Sequence, residues 1–237
     1  MEKSPKYNSF ENLQRKERVD KIKESGLLDN KRFSLSHNPE VKKILSGLQK
    51  LIEELKDQYP EVISFGISGS MVKGYATSES DIDGFLFIDR DLAKVANPNS
   101  GDKDMQLRNK FNHILKEKIL NSLSLKEEQL LHTHVLLIDK KGLKNQSEKY
   151  FEFFNIPDYL ELVFLLSIGS TDIRQYRKIV LDSLENQGEK GEQKLQSLMK
   201  GLQRYERREI DEDDEPEKYK NSNLYPQTIK KAKEYFL

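Results

Sequence analysis

Apolar residues recur at three- and four-residue steps after Asn38-Pro39: Val41, Ile44, Leu45, Leu48, Leu51, Ile52 and Leu55. That period predicts one amphipathic helix. It opens on an asparagine N-cap with proline at the first helical position and ends before Pro60. At residues 62–68 the period changes to two. Ile63, Phe65 and Ile67 then share one face of a strand, and Ser64, Gly66 and Ser68 share the other. A glycine-bearing segment, GSMVKGYATSES, follows, and residues 81–88 read as a second strand. A polar, turn-rich loop, DRDLAKVANPNSGDK, leads to Leu107, Phe111, Ile114, Leu115 and Ile119, which place a helix across about 104–121. Residues 133–138 form the third strand.

After Lys140 the pattern is helical, with no evident strand. The first stretch runs from near Pro157 to about Gly169 and includes the apolar run 159–168, read as a core or interface helix. The second starts at the cap cluster Ser170-Thr171-Asp172 and shows Ile173, Tyr176, Val180 and Leu184. The third shows Leu195, Leu198, Met199, Leu202 and Tyr205. The expected fold is therefore α/β in the α+β sense: a small mixed sheet with flanking helices, then a helical C-terminal domain. The expected division is an N-terminal extension at 1–37, an α/β core at 38–145 and a helical domain at 146–237, with the change of character near 141–156. A cleft between the two halves is the expected active site. Residues 209–217 hold seven acids in nine positions, an acidic linker.

Charge narrows the classes of partner. Lys+Arg and Asp+Glu both number 40, so the formal net charge is zero. This argues against coating nucleic acid by bulk charge. With no cysteine there is neither a disulfide nor a thiolate metal site, and a cytoplasmic setting is expected. The N-terminal segment lacks an apolar stretch of signal-peptide length. No run approaches the roughly 20 apolar residues that span a bilayer, so no membrane partner is expected.

The segment GISGSMVKGYATSESDIDGFLFI carries the candidate chemistry. Asp81 and Asp83 are two apart, so on a strand both carboxylates point one way while Ile82 buries on the other. Hard oxygen donors at that spacing suit Mg²⁺ or Mn²⁺, an ion that shares its shell with substrate phosphates. Gly69 lets the backbone approach a phosphate, and Ser70 adds a hydroxyl donor. Lys73 lies one turn later, within reach of a triphosphate.

Gly69-Ser70, ten intervening residues, then Asp81-Ile82-Asp83 resembles the minimal nucleotidyltransferases of the DNA polymerase beta superfamily. The likeness is close over residues 60–90 and looser on either side. It implies transfer of a nucleoside monophosphate from an NTP, with ATP the expected donor and Mg²⁺ or Mn²⁺ the cofactor. The acceptor hydroxyl belongs to a small molecule, an RNA end or a protein, and homo-oligomers are compatible with it. It also implies a third carboxylate on the next strand. There the expected place is held by His134, and Asp139 lies at the strand's far end. Asp139 is taken as the third active-site acid, brought round by a bulge or a late strand start, because imidazole binds Mg²⁺ poorly; His134, the better match in position, is the alternative as ligand or base.

Other readings compete with this one. Residues 79–84 superficially resemble the start of an EF-hand, but the first position is Glu79 and the twelfth Arg90, which excludes it. A nucleotide-sugar glycosyltransferase uses Asp-x-Asp without needing the Gly-Ser turn. His132 and His134 also read as ordinary strand residues, and Arg174, Arg177 and Lys178 as surface charge. The functional alternatives are a catalytically degenerate protein that holds a nucleotide or a partner on the same core, and a helical interaction protein built on a relic of that core.

Overall fold

Asn38 caps the first helix: its Oδ1 accepts from the Glu40 N–H at 3.0 Å, and Pro39 stands at the helix start. The computed structural model describes Leu13, Gln14 and Glu17 and residues 38–94, 102–123, 125–130, 132–140, 166–168, 173–207 and 228–237. The first helix, α1 (Pro39–Gln58), buries Val41, Leu45, Leu48, Leu51, Ile52 and Leu55. Each such side chain, fully buried, contributes about 1.5–3 kcal/mol relative to exposure.

The sheet has four strands: β1 (Val62–Ile67), β2 (Gly84–Asp89), β3 (Thr133–Ile138) and β4 (Leu166–Ile168), in the order β3-β2-β1-β4. β1 is antiparallel to β2 and β4, whereas β2 and β3 are parallel, so the sheet is mixed as expected. A parallel pair needs a crossover, and α3 (Lys103–Leu123) supplies it, burying Leu107, Phe111, Leu115 and Ile119. Between β1 and β2 lies a short helix, α2 (Gly69–Lys73).

Each face of the sheet has its own core. Phe65, Ile67, Leu86, Ile88, Val135 and Leu137 pack with α1 and α3. Ile63, Phe87, Leu136 and Ile138 pack with α4 (Ile173–Asn186), α5 (Glu189–Arg207) and α6 (Ile229–Phe236). The C-terminal helices are thus a covering layer on the sheet, and α5 also packs against α2.

Three expectations are corrected. Ile63 does not share the face of Phe65 and Ile67, because a bulge between Val62 and Ser64 turns it to the opposite core. Strand β2 begins at Gly84, so Asp81 and Asp83 precede it. Residues 166–168 are a strand on the edge of β1, not the end of a helix. An apolar run without polar punctuation fits a buried helix or a buried strand equally, and the open edge of β1 decides between them. The helix α6 has no counterpart in the pattern reading. Most of the 1–37 extension, the 141–156 boundary, the start of the 157–169 stretch, the 170–172 cap cluster and the acidic linker lie outside the described residues. Among the described residues no helix is long and apolar enough to cross a membrane.

Candidate active site

β1 delivers the chain to Ser68, whose N–H donates to the Asp83 carbonyl at 2.9 Å and whose Oγ donates to the same oxygen at 3.3 Å. α2 begins at the next residue. Gly69 has a φ of 63°, a left-handed conformation that costs other residues about 1–2 kcal/mol. A Cβ built there would stand 1.7 Å from Asp83 Oδ2 and 2.9 Å from Asp83 Cβ. Only glycine therefore leaves room for the Asp83 carboxylate, which lies directly against the turn. Ser70 Oγ is buried with no hydrogen-bond partner among the described residues. Gly74 closes α2, its N–H donating to the Ser70 carbonyl at 2.9 Å. The side chain of Lys73 lies outside those described.

The aspartate segment is held by hydrogen bonds rather than by a strand ladder. Ile82 is fully buried in the core beneath α1 and α3, as its position between two outward carboxylates requires. Its N–H donates to the Gln129 carbonyl at 2.8 Å, and its carbonyl accepts from Thr133 Oγ1 at 3.1 Å. Gln129 sits in a 3₁₀ turn (Glu127–Leu130) and is 7% exposed. Its Nε2 donates to the Ser78 and Ser80 carbonyls at 3.0 and 3.1 Å. Its Oε1 accepts from the Lys126 N–H at 3.0 Å. At the surface Lys126 Nζ pairs with Glu79 Oε2 at 2.8 Å, and this hydrogen bond raises the Lys126 pKa above its ordinary value. The sequence held no signal for Gln129; a threonine opening a strand after the motif was the only visible hint of Thr133.

Two histidines flank the carboxylates. His132 Nε2 is 3.5 Å from Asp81 Oδ2, and the two side chains are 61% and 45% exposed. His134 pairs in register with Phe85, their ring centroids 6.0 Å apart. By strand alternation His134 lies on the same face as Leu136 and Ile138. Burial by neighbouring atoms, then His132 and Lys116, hold its pKa below the ordinary histidine value, with Asp83 partly offsetting them. The imidazole is therefore largely neutral at pH 7.

Asp139 is not the third acid. Its neighbour Ile138 pairs with Asp89, and the Ile138 carbonyl accepts from the Arg90 N–H at 2.8 Å. Asp139 thus lies past the far end of β3, about 20 Å along the strands from Asp83 at 3.3 Å per residue. No bulge interrupts the β2–β3 register. The residue that β3 presents at the aspartate end is His134.

The expected surface charges are also away from the aspartates. Tyr176, beside Arg177 on α4, reaches Asp89 at the far end of β2. Arg177 lies 5.8 Å from the Phe236 ring, and burial, with Arg174 adding to it, pushes its pKa down to about 10. Lys178 pairs with Asp182 at 2.7 Å.

Among the described residues no three His, Cys, Asp or Glu side chains come together to hold an ion. Asp81 and Asp83 are the two carboxylates that could hold a divalent ion, a number that suits Mg²⁺ shared with substrate phosphates.

A mixed sheet that seats an Asp-x-Asp segment on a Gly-Ser turn defines a minimal nucleotidyltransferase-like core. Residues 48–159, a little under half of the chain, match the family model of the nucleotidyltransferase domain. No curated protein and no solved structure matches the chain.

Proposed function

We propose that the chain catalyses metal-dependent transfer of a nucleoside monophosphate from an NTP, with ATP the expected donor, to an acceptor hydroxyl. The observation that carries this reading is the seating of Asp83 Oδ2 against Gly69, which brings the two halves of the motif together across the ten residues between them. The core spans 38–145 in this reading, and the helices of 146–237 border the site through the packing of α5 on α2.

The donor set fits a hard divalent ion: two carboxylates, and, in the turn against which Asp83 lies, a buried hydroxyl, Ser70 Oγ, with no hydrogen-bond partner among the described residues. Asp81 and Asp83 would hold such an ion, which would supply neutralisation of phosphate charge and stabilisation of the attacking and leaving oxygens. The protein's own part is positional. Gly69 lets the Asp83 carboxylate lie against the turn that faces the triphosphate, and Ser70 Oγ gives a phosphate oxygen its hydrogen bond. Asp81 and Asp83, as ion ligands, are not available as bases. The acceptor's proton then falls to His134, which is neutral at pH 7 and stands at the aspartate end of β3.

One observation favours a second reading, nucleotide binding without turnover: β3 presents a histidine, not a carboxylate, at that end. The two readings separate in one experiment. The purified chain is incubated with each NTP and Mg²⁺ or Mn²⁺, and nucleotide binding and pyrophosphate release are followed together. Binding with release that His134→Ala suppresses supports transfer; binding with no release under any condition establishes the binder. Absence of nucleotide binding under every condition would falsify both.

A further inference from the structure

The segment that carries Asp81 and Asp83 is not part of the β2 ladder, so something else must fix it. We propose that Gln129 is a positioning residue for the carboxylate pair, acting with Thr133 as a clasp across the backbone on both sides of Asp81. The proposal rests on the metal-binding reading of those aspartates and deepens it.

Three features carry it. Among the described residues the Gln129 side chain grips only main chain: two carbonyls of the loop, Ser78 and Ser80, and the N–H of Lys126. Ser80 immediately precedes Asp81, so the amide sets where that residue begins. The Gln129 backbone carbonyl takes the Ile82 N–H, and Thr133 Oγ1 takes the Ile82 carbonyl. Both polar groups of the residue between the aspartates are therefore committed to the segment 129–133.

Burial raises the stakes. Gln129 is 7% exposed and Thr133 is 3% exposed. An amide carbonyl that loses its donor in such a place cannot recover it fully from water, and the loop moves to find one. Ile82 remains anchored in the core, so the adjustment falls on Ser80 and Asp81. Asp83 has its own anchor, since its carbonyl accepts from Ser68. The clasp thus controls the spacing of one carboxylate relative to the other, the quantity that a shared ion reads.

The test is a split between metal affinity and folding. Mn²⁺ binding is measured by electron paramagnetic resonance on the full chain with a non-hydrolysable ATP analogue, beside thermal unfolding without ligand. Gln129→Met keeps the length and removes the amide. It should weaken Mn²⁺ binding about tenfold, the low end of the effect of losing an outer hydrogen-bond partner of a metal ligand, with native circular dichroism retained. Thr133→Ser should behave as wild type and Thr133→Val should also lose affinity, which settles the matter if Gln129→Met does not fold. A merely structural clasp predicts lower melting temperatures and unchanged Mn²⁺ affinity in every variant that folds, and that result overturns the proposal. A wild-type chain that binds no Mn²⁺ with the analogue sinks the reading of the aspartates and the clasp with it. Wild-type binding lost in Asp81→Asn but kept in Gln129→Met and Thr133→Val sinks the clasp alone.

Discussion

Asp83 lies just ahead of β2 and Asp89 at its end, and alternation puts both on one side of the strand. Their surroundings differ in kind. Asp89 is 5% exposed and its oxygens face donors from its own chain: Tyr176 Oη at 2.5 Å, the Asp91 N–H at 2.9 Å and the Leu92 N–H at 3.2 Å. It joins α4 to the sheet and closes the turn after β2. At the other end Asp81 is about half exposed beside a histidine, Asp83 rests on a glycine, and a buried hydroxyl nearby has no partner among the described residues. A carboxylate surrounded by its own protein's donors is a joint. The carboxylates at the other end meet an exposed histidine and a glycine turn, and it is their role that the variants below test.

The strongest way to break this comparison is to neutralise each end. Asp81→Asn with Asp83→Asn should abolish the Mg²⁺-dependent part of NTP binding in calorimetry while the protein keeps its native circular dichroism. Unchanged metal dependence in that double variant means the open end is not a metal site. Below it in effect come single changes in the turn. Ser70→Ala should weaken NTP binding by about 1.5–3 kcal/mol, the worth of a hydrogen bond to a charged group. Gly69→Ala should cost more than Ser70→Ala, since the new Cβ meets Asp83 Oδ2 and the left-handed backbone is strained as well. Wild-type NTP affinity in both places the phosphates elsewhere.

The closed end should respond in the opposite sense. Tyr176→Phe removes the donor to a buried carboxylate and should destabilise the fold by about 1–3 kcal/mol in chemical denaturation. NTP affinity should stay at the wild-type value. A drop in affinity without a drop in stability would mean that the far end of β2 communicates with the turn and that the two ends are not independent.

The contrast was only half legible in the sequence. Asp81-Ile82-Asp83 and Asp89-Arg90-Asp91 are both Asp-x-Asp on the margins of one strand. What separated them was the Gly-Ser turn ten residues upstream of the first, a local signal that survives without an alignment. Helices α1 and α3 were readable because one face of each is buried, which writes a period into the sequence, and β3 because both its faces are buried, which writes a short continuous apolar run. The parallel register of β2 and β3 left no such mark, and it is that register which removes Asp139 from the site and puts His134 there. The clasp by Gln129 was unreadable for a related reason: its partners are main-chain carbonyls, which impose no residue type on the positions that carry them. Residues 166–168 were misread because a short apolar run takes its structure from the strand edge it meets.

The smallest effect concerns His134 and tests whether the open end is electrostatically distinct. Three groups act on its charge besides burial: His132 and Lys116 lower its pKa and Asp83 raises it, and the balance leaves the folded value below the ordinary one. In the unfolded chain histidine titrates near about 6.5. Below that pH the unfolded state therefore binds more protons at this position than the folded state does. The contribution of neutral His134 to stability is fully present above the unfolded pKa and is lost as pH falls through the folded pKa. His134→Gln keeps a neutral, hydrogen-bonding side chain that does not titrate. The melting temperatures of variant and wild type should differ by a constant amount at pH 7.5 and above. Below pH 6.5 the wild type should fall behind the variant progressively. The ring is partly open to solvent, so the difference should be small, a degree or so rather than a collapse. If the gap stays constant from pH 8 to pH 5, the folded protein does not disfavour a charge on His134. The neutral base assigned to that position would then lose its electrostatic support.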